Sequence, residues 1–105
     1  MPLSRWTRVA AVKDLKEGEM MAVKAEGQEI VLGHQNSQYF AMDLWCTHTF
    51  TLLDQGTLDG WELECPLHEG RFDIRTGEAV QLPAEEPLNV YSVKVEGEDI
   101  LVGPR

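Results

Sequence analysis

The chain predicts an all-β fold, a small antiparallel sandwich or barrel, on three observations. Short apolar runs recur along it, breaks rich in Gly, Asn and Asp separate them, and no stretch carries the 3.6-residue periodicity of a long helix. Its 105 residues suffice for one modest core, burying roughly two-thirds of the surface the unfolded chain exposes.

In chain order, residues 6–10 read as the first strand, and Lys16, Glu17 and Gly18 form the break that follows. Strands at 20–25 and 29–33 are joined through Glu26-Gly27, and Asn36-Ser37 turns the chain into a fourth at 38–43. Further strands at 61–65 and 71–74 follow Asp59-Gly60 and precede Thr76-Gly77. The last pair, 89–95 and 99–102, flanks Glu96-Gly97-Glu98. Within it, Tyr91-Ser92-Val93-Lys94-Val95 alternates apolar with polar side chains, as a half-buried strand does. There is no internal repeat, low-complexity tract or linker, so residues 1–105 are expected to form a single domain.

The chemistry is concentrated between the two halves. Both cysteines are followed closely by a histidine, in Cys46-Thr47-His48 and Cys65-Pro66-Leu67-His68, the pattern Cys-x-His-x16-Cys-x2-His. Two thiolates and two imidazoles can hold zinc or an iron-sulfur cluster. Zinc fingers usually pair Cys with Cys and His with His in their short loops, whereas each loop here supplies one of each. That suits a two-iron, two-sulfide cluster in which one iron takes both thiolates and the other both imidazoles. The second loop reads Glu64-Cys65-Pro66-Leu67-His68-Glu69-Gly70-Arg71-Phe72-Asp73 and continues to Arg75-Thr76-Gly77. From about Trp6 to Val102 the chain resembles the Rieske ferredoxins of bacterial ring-hydroxylating dioxygenase systems.

That resemblance implies a Rieske-type antiparallel β-sandwich or barrel base carrying an inserted cluster-binding subdomain, here about residues 44–80. It implies one 2Fe-2S cluster with Cys46, His48, Cys65 and His68 as ligands. Both ligand loops would fold over the cluster, stiffened in the second by Pro66, which fixes φ and lacks an N–H. Gln81, Leu82, Pro83 and Ala84 match the proline-containing segment that covers the cluster in the family. The implied role is a one-electron carrier, not an enzyme, running from a flavin-containing NAD(P)H-dependent reductase to a terminal aromatic-ring-hydroxylating dioxygenase. In high-potential relatives a Ser and a Tyr hydroxyl bond to sulfur at positions matching Gly70 and Phe72. Both hydroxyls are missing here and Glu69 adds negative charge, so a potential at the low end of the Rieske range is expected, about -150 to +300 mV. Thr49, Phe50 and Glu69 depart from the commonest family pattern and bear on partner choice.

Charge and context narrow the partners. Nine basic residues face eighteen acidic ones, a net charge of -9. No Lys or Arg falls between Ala25 and Gly70, where Glu26, Glu29, Asp43, Asp54, Asp59, Glu62, Glu64 and Glu69 all occur. Such a face keeps a protein soluble and also steers docking onto basic patches. It argues against nucleic acid as a ligand. No apolar run approaches the ~20 residues that span a bilayer, and residues 1–5 lack a signal-peptide core. A cytoplasmic monomer with no membrane partner is expected, and two cysteines committed to iron agree with a reducing compartment.

Other residues read as structural. His34, with no cysteine near it in sequence, is a turn or surface histidine. Trp6 and Trp61 are strand-packing or core aromatics, Met20-Met21 belongs to a strand, and Glu85-Glu86 are solvated loop charges. Trp45, directly before Cys46, fits core packing and the docking face equally well. Two alternatives fit the same residues: the small subunit of an assimilatory nitrite reductase, which shares the fold but often lacks some ligands, and a structural zinc-binding module. A terminal oxygenase does not fit, for want of length and of a mononuclear iron motif.

Overall fold

The computed structural model describes residues 3–47, 51–66, 70–82, 84 and 86–105. Through them run β1 (Thr7–Ala11), β2 (Met20–Ala25), β3 (Gln28–Gln35), β4 (Gln38–Asp43), β5 (Thr57–Asp59), β6 (Glu62–Glu64), β7 (Arg71–Asp73), β8 (Ala79–Gln81), β9 (Val90–Glu96) and β10 (Asp99–Gly103). Six strands make one antiparallel sheet in the order β1-β10-β9-β4-β3-β2, and four make a second in the order β5-β6-β7-β8. The outer strands of the first sheet, β1 and β2, come back against each other, which leaves a nearly closed barrel. The all-β expectation holds. The sequence reading missed β5 and β8, each three residues long and mostly polar or exposed.

The hairpins follow from their turn residues. Between β2 and β3, Glu26 (φ 51°) and Gly27 (φ 79°) both take the left-handed region, the condition for a primed turn that matches strand twist. Glycine meets it freely. Glu26 does not, and its carboxylate is tied down instead: it accepts hydrogen bonds from the Ser4 N–H (2.8 Å), the Ser4 hydroxyl and the Arg5 N–H (3.2 Å). The bonds from Ser4 and Arg5 hold the Glu26 carboxyl below its ordinary pKa. At the next turn, Glu17 accepts from the N–H groups of Asn36 (2.7 Å) and Ser37 (2.9 Å), both also at positive φ.

The core has two parts divided by β3 and β4. Ile30, Leu32, Ala41, Tyr91, Ile100 and Val102 fill the barrel. Val31, Phe40, Met42 and Leu44 point the other way, into a second core with Cys46, Leu53, Leu63, Cys65, Phe72, Ile74, Ala84 and Leu88. Alternate side chains of a strand take opposite faces, so Ile30, Val31 and Leu32 are all fully buried, one pair inward and one residue outward. The four-stranded sheet is therefore seated on the outer face of β3 and β4, and both cysteines lie in the core between them. Leu63, opposite Phe72 across β6 and β7, is fully buried there. Leu63→Ala should cost about 2–5 kcal/mol by lost burial and a residual cavity, read as a lower midpoint in denaturant titration. A change below about 1 kcal/mol would contradict this packing.

Candidate metal centre

Each cysteine opens a loop closed in the same way. After β4, Trp45 and Leu52 form an isolated antiparallel bridge. The Leu53 N–H donates to the Leu44 carbonyl at 2.8 Å, and the Cys46 N–H to the Thr51 carbonyl at 3.0 Å. In the other loop, Glu64 pairs with Arg71 at the end of the β6–β7 hairpin. One step further on, the Cys65 N–H donates to the Gly70 carbonyl at 2.9 Å. Both loops thus run from a cysteine to the residue five places on. Connectivity puts His48 inside the first and His68 inside the second, and both histidines lie outside the described residues, as do Thr49, Phe50, Leu67 and Glu69.

The segment after β8 ties the loops together. Ala84 lies against Gly70 so closely that a Cβ on the glycine would come within 2.9 Å of the Ala84 Cβ and 3.0 Å of its nitrogen. The Thr47 hydroxyl donates to the Glu86 carbonyl at 2.8 Å, and the Leu88 N–H to the Gly77 carbonyl at 2.8 Å. Ala84 therefore touches the second loop, Glu86 the first loop and Leu88 the β7–β8 turn, and of the expected covering segment 81–84 it is Ala84 that these contacts include. Pro83 and Glu85 are outside the described residues. The strand leading into the first loop is anchored as well. Asp43 accepts from the Tyr91 hydroxyl at 2.6 Å and the Asn89 N–H at 3.0 Å, while its own N–H donates to the Asn89 carbonyl at 3.0 Å. Burial, and then the bond to this carboxylate, push the Tyr91 phenol well above its ordinary pKa.

Beside the second loop the acidic face is partly neutralised. Arg71 Nη1 lies 3.0 Å from Asp59 and 3.2 Å from Glu62, and its Nε lies 3.7 Å from Glu64, the residue before Cys65. Bonds to Asp59 and Glu62 hold the guanidinium more firmly protonated. The four groups remain two charges negative. Next to them the Arg75 guanidinium holds the Asp73 carboxyl below its ordinary range, and Arg75 also lies 4.9 Å over the Trp61 ring.

The donor set fits a cluster that takes two thiolates. Cys46 (7% exposed) and Cys65 (3%) share one core, and neither is in a disulfide. Next to Cys46, the buried Thr51 hydroxyl has no hydrogen-bond partner within the protein. Among the described residues no three His, Cys, Asp or Glu side chains gather as a metal site, and the expected imidazole ligands His48 and His68 lie outside those residues. His34 is placed elsewhere. It belongs to β3 rather than to a turn, stacks on Tyr39 with ring centroids 4.2 Å apart, and sets Nδ1 3.3 Å from the Leu15 carbonyl oxygen. Trp45 is 42% exposed and donates its indole N–H to Glu29 at 3.1 Å, so it is a surface residue. Trp6 lies flat over Gly103 beneath Lys94 Nζ, packing on the sheet without entering the core. The sequence reading did not find Thr47 and Thr51. The signal was present: Thr51 follows Cys46 at the same interval as Gly70 follows Cys65.

Two buried thiols on antiparallel hairpin ends, sharing one core against a small barrel, supply the thiolate half of an iron-sulfur site. Residues 5–92 match the model of the Rieske [2Fe-2S] domain, and the chain belongs to that family. It binds one Rieske-type 2Fe-2S cluster. The chain is 37% identical over 98 residues to the ferredoxin component of the naphthalene 1,2-dioxygenase system of Pseudomonas aeruginosa, covering 93% of this chain and 94% of that one. Its structure is similar to the ferredoxin of carbazole 1,9a-dioxygenase from Nocardioides aromaticivorans IC177, with a TM-score of 0.90, 38% identity, and 97% and 100% of the two chains covered. It is similar also to a chain in a complex of reduced oxygenase and oxidized ferredoxin in carbazole 1,9a-dioxygenase (TM-score 0.87, 33% identity, 95% and 94% covered).

Proposed function

We propose that this protein is a soluble Rieske ferredoxin that carries one electron from a flavin-containing NAD(P)H-dependent reductase to a terminal aromatic-ring-hydroxylating dioxygenase. The supporting observation is the pair of matched loops, each opened by a buried cysteine and closed by a backbone bond five residues on. Cys46 and Cys65 would ligate one iron and His48 and His68 the other, within a cluster-binding subdomain of about residues 44–80 in a single domain. When bound, the cluster supplies reversible one-electron chemistry.

The rest of the chain holds and exposes that centre. Cys46 and Cys65 sit on the core side and would hold the thiolate half of the cluster there, while His48 and His68 would hold the other half and offer the path by which an electron reaches a partner. No substrate pocket is needed. The cytoplasm is the expected compartment, with a monomer as the working form. No helix among the described residues is long and apolar enough to cross a membrane. The related ferredoxins serve naphthalene and carbazole oxygenases, and this reading assigns the present chain a partner of the same class without fixing its substrate.

Reconstitution tests it. The purified holoprotein, mixed with a ferredoxin reductase, NADH and the oxygenase of a naphthalene-type system, should be required for hydroxylation of the aromatic substrate. Acidic steering should make the carrier-limited rate fall severalfold as salt rises from low to about 0.2 M, past the point where the screening length is about 10 Å. Turnover that proceeds equally well without the chain, or a holoprotein that no reductase reduces, would remove the carrier role.

A further inference from the structure

We infer that Arg71 raises the reduction potential of the centre by holding a permanent positive charge beside the second cysteine loop. The inference rests on Cys65 being a cluster ligand, as the preceding section reads it, and it concerns a residue that no ligand pattern includes.

Three observations converge on Arg71. First, the ladder fixes it next to the cysteine. Arg71 pairs with Glu64 across the β6–β7 hairpin, and one step further on the Cys65 N–H donates to the Gly70 carbonyl at 2.9 Å. Phe72 is fully buried, so alternation turns Arg71 to the other face of the small sheet, where it acts on the centre as a charge and not by contact. Second, it is a lone cation in acidic surroundings. Arg71 is the first basic residue after Lys24 in the chain, and its guanidinium lies within 4 Å of the carboxylates of Asp59, Glu62 and Glu64. Its side chain is only 23% exposed and its Nε is buried with no hydrogen-bond acceptor, so the 3.7 Å approach to Glu64 is one of charge. Partly buried charges are screened less by salt than exposed ones. Third, the other arginine of this sheet is placed differently. Arg75 lies on the turn at the far end of β7, paired with Asp73 and set over the Trp61 ring, so the same charge sits further from Cys65.

Reduction adds one negative charge to the centre, so a fixed cation nearby stabilises the reduced form more than the oxidised form. With Arg71 the four groups sum to two negative charges; without it, Asp59, Glu62 and Glu64 leave three beside the loop. At a separation on the order of 10 Å and an effective dielectric constant of about 40 to 80, one unit charge changes the equilibrium constant for reduction roughly twofold to fourfold. Arg71 therefore works against the low potential that Gly70 and Phe72 otherwise favour. It tunes the centre and holds no iron itself.

Spectroelectrochemical titration of reconstituted Arg71→Gln, Arg71→Lys and Arg75→Gln holoproteins at low salt tests this. Gln at position 71 removes the charge and should lower the equilibrium constant for reduction roughly twofold to fourfold. At ~59 mV per tenfold for one electron, that is a midpoint lower by about 20–35 mV. Lys keeps the charge and should stay at the wild-type value. Arg75→Gln removes the same charge from the far end of β7 and should move the midpoint less than half as far. In about 1 M salt, where the screening length falls to ~3 Å, the Arg71→Gln shift should shrink, which a merely structural change would not do. An Arg71→Gln variant at the wild-type midpoint overturns the proposal. So does an Arg71→Lys variant displaced as far as Arg71→Gln, an equal shift from Arg75→Gln, or a shift undiminished by salt. If Arg71→Gln does not take up the cluster, Glu64→Gln decides: removing one negative charge from the same group should raise the midpoint, and no change overturns the proposal. Wild-type protein without a Rieske spectrum would instead strike the cluster-ligand reading itself, so the two failures are told apart.

Discussion

Replacing His48 or His68 by alanine, or Cys46 or Cys65, should yield protein without the Rieske absorption and without the rhombic paramagnetic signal of the reduced cluster. The loss should be complete. Each iron takes two protein ligands in this arrangement, so removing one leaves an open iron exposed to water and oxygen. The cysteines carry a second consequence, because they are part of the core between the two sheets beside Leu63, Phe72 and Leu88. Binding energy at a metal site not preformed in the unfolded chain is folding energy, so the cluster-free variants should also unfold at lower temperature. His34→Ala is the control. Its ring is stacked on Tyr39 and close to the Leu15 carbonyl oxygen, and that variant should keep both spectral signatures. A His48 or His68 variant with the wild-type spectrum would end the ligand assignment.

The strand plan was readable in the sequence for physical reasons, and the sequence also offers a candidate ligand set. Cys and His are scarce here, and their mixed loops admit few chemistries. Turns at Glu26-Gly27 and Asn36-Ser37 were visible because positive φ restricts which residues are tolerated, and both lie at the hairpin tips. What escaped was tertiary. β5 and β8 are three-residue strands, too short for a periodic pattern to register, held by pairing with β6 and β7. That Trp45 faces outward while Cys46 beside it is buried depends on the bridge to Leu52, which the sequence does not announce. Arg71 ends the cation-free stretch and looked like one charge among many. Only the fold brings Asp59, Glu62 and Glu64 around it, and so lowers the negative charge beside the second loop. In sequence Gly70 shows only as a missing hydroxyl, and the structure adds why a side chain is excluded there, since Ala84 occupies the space.

That last contact shapes the expected potential. Oxidised, the two ferric ions, two sulfides and two thiolates of such a centre are neutral together, whereas four thiolates would leave it doubly negative, so neutral imidazoles already make reduction easier than in plant-type ferredoxins. Within the Rieske range of about -150 to +300 mV, hydrogen bonds to sulfur set the position. With Gly70 and Phe72 supplying no hydroxyl and acidic groups nearby, the midpoint of this protein should fall at the low end, and a strongly positive value in protein-film voltammetry would refute it. Phe72→Tyr should raise it by about 20–60 mV, from ~0.5–1.5 kcal/mol per net hydrogen bond and ~59 mV per tenfold. Gly70→Ser is a different experiment, because its Cβ would meet Ala84 at 2.9 Å and must displace the segment that ties the loops. Gly70→Ala imposes the same displacement without the hydroxyl. Both variants should lose iron to a chelator faster than wild type, since water reaches the centre once Ala84 is pushed away. The difference in midpoint between them isolates the hydroxyl. If Gly70→Ala and Gly70→Ser bleach no faster than wild type, Ala84 does not shield the centre. If their midpoints coincide, sulfur at that position accepts no bond from residue 70, and the potential is set by charge and by the remaining donors.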